Sequence, residues 1–275
     1  MPALPESAVY PLHTPAAHVI RDGAEALAVA RQVAAILLEQ DAERDRTREV
    51  PAQVVDLYSN SGLWGISVPR EFGGAQVSYA VLAEVIAIIS AADPSLGQIP
   101  QNHYCLLEDI RLQGTPEQQA HFFALALQGH RFANALSETG GKNVQDIQAT
   151  IRRSGDGYVI NGRKGYCTGS LYAHWLAVLA LDEQGRGQLA FVPRGSEGLA
   201  VIDDWDSIGQ RTTSSGTVLA QDLKVPAFNL FPTYRSYESP TLAGPFAQLT
   251  TAAIDAGIAR AALRDTIAFV REHAL

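Results

Sequence analysis

The sequence predicts an α+β chain of several domains: an N-terminal helical domain, a central β domain of barrel or sandwich type, and the start of a C-terminal helical bundle. Three observations carry that reading. Apolar residues recur at helical spacing from Arg21 to about Gly129, the pattern then changes to short runs broken by turn residues, and helical spacing returns from about Thr241. The expected boundaries are an N-terminal extension at 1–20, the helical domain at 21–129, the β domain at 130–236 and the first bundle helix at 237–275.

In the helical part, "AEALAVARQVAAILLEQ" aligns Leu27, Ala30, Ala34, Leu37 and Leu38 on one stripe. Pro51 suits the first turn of the next helix, where a missing N–H costs nothing, and Gly62 lies near its end. "SYAVLAEVIAIISAADP" is apolar on nearly all sides, which places it between other helices. Asp93-Pro94 supplies a cap and first turn for the following helix, and Thr115 with Gln118 makes a capping-box pattern for the one after it.

In the β part, "IQATIRRSG", "GYVINGRKGYC", "WLAVLALD", "QLAFVP" and "SGTVLAQDLKV" read as strands. "SGDG" and "DEQGRGQ" are hairpin connections, because Gly and Asp tolerate positive φ. The strand in "NGRKGYCTGSLYAHW" is expected to follow an Asn161-Gly162 turn, and it halts at Thr168, Gly169 and Ser170 between apolar neighbours. In the last part Leu249, Ala253, Ile254, Gly257, Ile258 and Ala261 keep helical spacing. That pattern runs to Leu275 without a Gly cap or Pro, as expected of a truncated or partnered helix.

With 275 residues, 47% of them hydrophobic, the chain can bury a substantial core. Its net charge of -8, with the charges interspersed, offers no basic surface for nucleic acid. Cys105 and Cys167 lack the spacing of a zinc site and read as a reduced pair in a cytoplasmic protein. No signal-peptide pattern or membrane-length apolar run is present. Ser170, Ser214 and Ser215 lie in no Gly-x-Ser-x-Gly elbow, and "ETGGKN" lacks the P-loop spacing, which argues against a nucleotide hydrolase.

Four strings, "VPREFGG" (Val68–Gly74), "NALSE" (Asn134–Glu138), "INGRKGYCTG" (Ile160–Gly169) and "GQRTTSSG" (Gly209–Gly216), together resemble the acyl-CoA dehydrogenase-like flavoproteins. "AADPSLGQIPQNH", "DDWDSIGQRTTSSG" and "AAIDAGIARAAL" are most similar to its monooxygenase branch of dibenzothiophene monooxygenases and sulfur acquisition oxidoreductases. The resemblance implies a two-component system. A flavin reductase would supply reduced FMN, and this chain would react it with O2 through a C4a-peroxide to oxygenate a small organosulfur compound. It also implies a homo-oligomer, a tetramer in full-length relatives. The alternatives are an FAD-dependent acyl-CoA dehydrogenase and an inactive flavin- or partner-binding fragment. The glutamate base of the dehydrogenases would fall beyond Leu275, so the residues present give that alternative no support.

An isoalloxazine ring needs donors at its pyrimidine edge and N5, an apolar or aromatic wall, and exclusion of water. By resemblance, Thr168 supplies a hydroxyl and a backbone N–H near N5, with Tyr166, Cys167 and Gly169 beside it. Asn134 and Ser137 would contact the pyrimidine edge or ribityl chain, and Trp205 would wall the substrate pocket or the flavin. His103 is the expected catalytic acid or peroxide stabiliser, a task suited to an imidazole titrating near neutrality. Without the resemblance, Asn134 and Ser137 would read as strand-end residues, Trp205 as a core or interface residue and His103 as structural.

Overall fold

A computed structural model describes residues 4–143, 146–238 and 240–273; Leu275, where the last helical pattern was read to end, lies outside them. Six helices come first: α1 (Gly23–Leu38), α2 (Asp41–Thr47), α3 (Ala52–Asn60), α4 (Tyr79–Ser90), α5 (Pro94–Gln113) and α6 (Pro116–Leu127). Their starts follow the local chemistry. Asp93 accepts from the Leu96 N–H and Pro94 occupies the first turn of α5, while Thr115 and Gln118 form the reciprocal capping box of α6.

The buried face of α1 is Ala26, Ala30, Val33 and Leu37. Ala30 and Leu37 of the expected stripe lie on this face, whereas Leu27 and Ala34 are half-buried at its margin and Leu38 is exposed. Helix α4 packs against α1, α5 and the last helix, α7 (Ala243–His273), which accounts for its apolar circumference. Where α4 and α7 cross, a Cβ on Gly257 would lie 2.3 Å from the carbonyl oxygen of Ala87, so only glycine permits that approach. Further along α7, Leu263, Ile267, Phe269 and Val270 are exposed.

Between α6 and α7 lie β1 (Phe132–Ala135), β2 (Thr150–Ser154), β3 (Gly157–Lys164), β4 (Trp175–Leu181), β5 (Gly187–Pro193), β6 (Leu199–Ile202), β7 (Thr217–Pro226) and β8 (Leu230–Phe231). They form one sheet in the order β6-β7-β3-β2-β4-β5-β8, with β1 also paired to β4. Among the described residues, only β1–β4 and β2–β4 are parallel. The expected hairpins occur, with Gly155 and Gly185 at positive φ in the β2–β3 and β4–β5 connections.

Asn161-Gly162 is not a turn. It lies inside β3, where the register against β7 shifts between Ile160 and Gly162. The Asn161 side chain bonds Asp222 twice, donating to its carboxylate at 3.1 Å and accepting its backbone N–H at 2.8 Å. A cross-strand partner thus converts a turn-like dipeptide into a bulge.

One apolar cluster fills the helical part, a second the interior of the sheet, and a third, with Phe122, Phe132, Phe191 and Phe231, joins α5 and α6 to the sheet. The segment preceding α1 is tied across both parts, through Ala8 N–H to Val201 O, Tyr10 O–H to Val50 O and His18 N–H to Asn60 O. Among the described residues, no helix is long and apolar enough to cross a membrane.

Candidate functional site

Three segments distant in sequence meet where β1 and β3 end and β7 begins. The first leaves β1 as Leu136-Ser137-Glu138. Glu138 accepts from Lys164 Nζ at 2.6 Å and from the N–H groups of Gln148 and Ala149, while Lys164 also donates to the Leu136 carbonyl. Both charged side chains are buried. Burial alone would raise the Glu138 pKa, but Lys164 and the two N–H donors outweigh it and hold the carboxyl below its usual range. The Gly165 N–H donates to the Ser137 carbonyl at 2.9 Å, so the first segment is fixed to the second.

The second segment, Tyr166 to Tyr172, is laced to the third, Gln210 to Gly216. Cys167 N–H donates to Gly216 O at 3.1 Å, Gly169 N–H to Thr213 O at 2.8 Å and Ser170 Oγ to Ser214 O at 3.3 Å. Thr168 Oγ1 lies 2.8 Å from Ser215 Oγ, which lies 2.7 Å from Thr213 Oγ1, which donates to the Gln210 carbonyl at 3.1 Å. Tyr166, Gln210 and Ser214 all have left-handed backbone, with φ of 54°, 50° and 47°. Each such non-glycine residue costs ~1 kcal/mol or more, strain that clusters at functional sites and is held here by the lacing.

Side chains around this junction have the character expected of a ligand site. Tyr166 is 60% exposed and meets Trp205 edge to face at 6.1 Å, while Trp205 Nε1 donates to the Gln210 carbonyl. Asn134 on β1 is buried, and its Oδ1 has no hydrogen-bond partner among the described residues. An unmet buried acceptor costs ~1–3 kcal/mol, so a donor arriving there would be favourable. Gly169, at φ 78°, passes so close to α5 that a Cβ would lie 3.0 Å from Ile99 Cγ2.

Two large cavities border the junction. One of about 710 Å³ lies between α5, the β4–β5 hairpin and the start of α7, and Leu136 is its link to the site. The other, about 690 Å³, is lined by Trp205, Arg211, Tyr10 and Arg48, among others, with Arg211 Nε buried and without a hydrogen-bond partner among the described residues.

Three of the expected groups are engaged inside the protein. His103 is fully buried: Nε2–H donates to the Trp64 carbonyl at 2.8 Å and Nδ1 accepts from the Phe132 N–H at 3.1 Å. Burial drives its pKa down to about 3, and it borders neither cavity. Such an imidazole has no free nitrogen and no charge to exchange near neutrality, so it is a structural tie between α5, β1 and the Leu63–Gly65 turn. The Cys167 side chain points into the sheet core, where burial pushes its pKa up to about 12. The Thr168 N–H is also unavailable, because it donates to the Tyr166 carbonyl at 3.0 Å. Asn134, Ser137, Tyr166, Thr168 and Gly169 do lie in the segments that meet here or on β1 leading into them, and Trp205 reaches the junction through its contacts with Tyr166 and the Gln210 carbonyl.

The Glu138–Lys164 pair, Ser215 and Asp109 were missed as site residues. Asp109, half-buried on the wall of the larger cavity, has no hydrogen-bond donor among the described residues. Burial and the neighbouring Glu108 raise its pKa to about 7. A sequence signal existed: Glu108 has Arg111 three residues on, whereas Asp109 has only Cys105, Leu106, Leu112 and Gln113 at helical spacing.

The chain matches the acyl-CoA dehydrogenase N-terminal domain over residues 20–130 and the acyl-CoA dehydrogenase middle domain over residues 133–223. It is 32% identical over 271 residues to a dibenzothiophene monooxygenase of Rhodococcus erythropolis, covering 92% of this chain and 64% of that protein. A probable FMNH2-dependent monooxygenase, SfnC, of Pseudomonas putida is 29% identical over 245 residues, covering 87% of this chain and 60% of that one. In three dimensions the chain is similar to FMN-bound TdsC from Paenibacillus sp. A11-2, with a TM-score of 0.85 and 32% identity over 90% of this chain and 65% of that one. It therefore spans less than two thirds of the length of these relatives.

Proposed function

The chain belongs to the acyl-CoA dehydrogenase family, and on that premise we propose that it is the flavin-binding part of a monooxygenase that uses reduced FMN and O2 to oxygenate a small organosulfur compound. The observation that carries the flavin reading is the buried, unpartnered Oδ1 of Asn134, on the strand leading into Ser137 and the laced hydroxyl segment. The same reading is supported by the similarity to FMN-bound TdsC.

Asn134 and Ser137 would hold the polar edge of the flavin, Thr168 would meet N5, and the Tyr166–Trp205 corner would limit the access of water. Bound FMNH2 supplies the two electrons that activate O2. In the net reaction one oxygen atom goes to sulfur and the other leaves as water, so a proton must be managed beside an apolar substrate. Leu136, Leu179, Leu189 and Phe246 give the larger cavity apolar walls for that substrate. Asp109, with a pKa of about 7, replaces His103 as the group that holds or moves the proton, at its carboxyl oxygens. A separate flavin reductase would deliver the cofactor.

The test is to titrate the chain with FMNH2 anaerobically by calorimetry, then admit ¹⁸O2 with dibenzothiophene and analyse the products by mass spectrometry. The expected result is saturable binding and one ¹⁸O on sulfur per turnover. Reduction of bound flavin by an acyl-CoA without any reductase, and no ¹⁸O in the sulfur compound, would assign the chain to dehydrogenation instead.

A further inference from the structure

We propose that the larger cavity admits neutral organosulfur compounds and excludes anionic ones, such as sulfinates and sulfonates, and that Asp109 is the residue that sets this charge preference. The proposal rests on the flavin monooxygenase reading above and narrows the substrate class of that same site.

The charge inventory of the wall points this way. Among the described residues that line the cavity there is no lysine, arginine or histidine, whereas Glu108 and Asp109 are both present. The other lining side chains are uncharged, and burial pushes the Cys105 thiol up to about 12, so it stays neutral as well. A sulfinate or sulfonate is ionised at every physiological pH. Moving such a fixed charge against an apolar wall without a counter-ion is strongly unfavourable.

The surrounding cations do not supply that counter-ion. Arg111 holds Glu108 through two bonds, at 2.8 and 2.6 Å, and lines the neighbouring cavity beside Tyr79 instead. The pair cancels the charge of Glu108 and leaves Asp109 as the carboxyl on this wall without a cation partner among the described residues. Arg186 is held by Asp182 at 2.9 Å and lies over the Tyr234 ring, while Arg235, also beside that ring, is exposed, where salt screens it.

The first turn of α7 also lies on the wall, and a helix start favours negative charge. Its supply of donors is thin: Pro245 has no N–H, and that of Phe246 donates to the Leu242 carbonyl at 2.8 Å. The half-charge of a helix end is smaller than the full charge of an ionised Asp109. Because burial and Glu108 raise the Asp109 pKa to about 7, this carboxyl can meet a neutral ligand in its own neutral form. An anion must either face the carboxylate or bring a proton with it.

The experiment compares two isosteric pairs by anaerobic calorimetry at pH 8, on the chain saturated with FMNH2: methyl phenyl sulfone with benzenesulfonate, and methyl phenyl sulfoxide with benzenesulfinate. In each pair a methyl group stands in for a charged oxygen. Wild type should bind the neutral member at least about tenfold more tightly. Asp109→Asn, which keeps the side-chain shape, should tighten the anions about tenfold and leave the neutral compounds within about twofold. Lowering the pH to 6 should act in the same direction on wild type and leave Asp109→Asn unmoved. That variant is the control for the other titratable groups, since it keeps Cys105, Glu108, Tyr234 and Tyr237 on the wall and Arg111, Asp182, Arg186, Arg235 and Glu238 around it. An anion bound as tightly as its isostere in wild type, or an exclusion unchanged by both Asp109→Asn and pH, would overturn the proposal while leaving the flavin site intact. Failure of all four compounds to bind the FMNH2-loaded chain would overturn it too, by removing the cavity as the substrate site. Failure of FMNH2 itself to bind would overturn the flavin reading.

Discussion

Nε2 of His103 donates to the carbonyl oxygen of Trp64 at 2.8 Å, across 39 residues of sequence and with no solvent contact. Together with the Phe132 N–H on Nδ1, this bond makes the imidazole a two-ended strut. His103→Leu would leave both the Trp64 carbonyl and the Phe132 N–H unmet, so it should lower stability by about 2–4 kcal/mol in urea unfolding. FMNH2 affinity of the folded fraction should stay within about twofold. Acid should mimic the substitution. The unfolded histidine takes a proton below its ordinary pKa of 6.5, the folded one only near 3, so stability falls as pH drops through that interval, with a slope of up to ~1.4 kcal/mol per pH unit from this group. The variant should lose that part of the slope.

The buried Glu138–Lys164 pair holds the loop that carries Leu136 and Ser137. Removing one partner strands the other charge, so Glu138→Gln or Lys164→Met alone should cost about 3–5 kcal/mol. The double substitution should cost less than the sum of the two, since neither charge is then stranded. The pair's pH dependence has a definite direction. Because the Glu138 pKa is depressed in the fold, its contribution is fully present above the ordinary glutamate value of 4.5 and is lost as pH falls below it. A double-mutant cycle in urea, repeated at pH 7 and pH 4, checks both statements; coupling that is small and pH-independent would refute them.

Asp109 should act in the opposite sense. Its pKa is raised to about 7 in the fold, so the folded chain keeps a proton that the unfolded chain releases from the ordinary aspartate value of 3.8 upward. Stability attributable to this group is therefore present at low pH and is lost as pH rises toward 7. Asp109→Asn should be neutral at pH 4 and stabilising by about 1 kcal/mol at pH 8, a figure reduced for partial solvent screening. Urea midpoints measured between pH 4 and pH 8 test it. If Asp109 moves the proton of the reaction, the variant should also lower turnover and flatten its pH profile near 7.

What could be read in the sequence was what depends on near neighbours. The Thr115–Gln118 capping box, the Asp93-Pro94 start of α5 and the glycine turns of the two hairpins each act within a few residues, and the structure has them all. The misreadings have non-local causes. Asn161-Gly162 is a bulge because Asp222 faces it, 61 residues away, and His103 is inert because Trp64 and Phe132 take its two nitrogens. Thr168 was recognised as polar where a strand breaks, but whether its proton faces a ligand or Ser215 depends on a contact 47 residues distant. Composition and periodicity carry no information of that kind.

Asn134 offers the sharpest separation between folding and binding. Its Oδ1 is buried on β1 without a donor, an arrangement unfavourable to the free protein. Asn134→Leu keeps the branched heavy-atom shape, removes the unmet acceptor and adds an apolar surface beside Phe132, of the third apolar cluster, and Leu136, which packs against that cluster. The ligand-free variant should therefore be as stable as wild type or up to about 1 kcal/mol more stable. Flavin binding should move the other way, because a donor on the pyrimidine edge loses its acceptor: FMNH2 affinity should fall about tenfold, roughly 1.4 kcal/mol. Thermal unfolding without ligand and anaerobic calorimetry with FMNH2 measure the two quantities on the same sample. A stability loss above about 2 kcal/mol would mean that the amide serves the fold. Unchanged affinity in a stable variant would remove Asn134 from the flavin site and, with it, the observation on which the flavin reading depends.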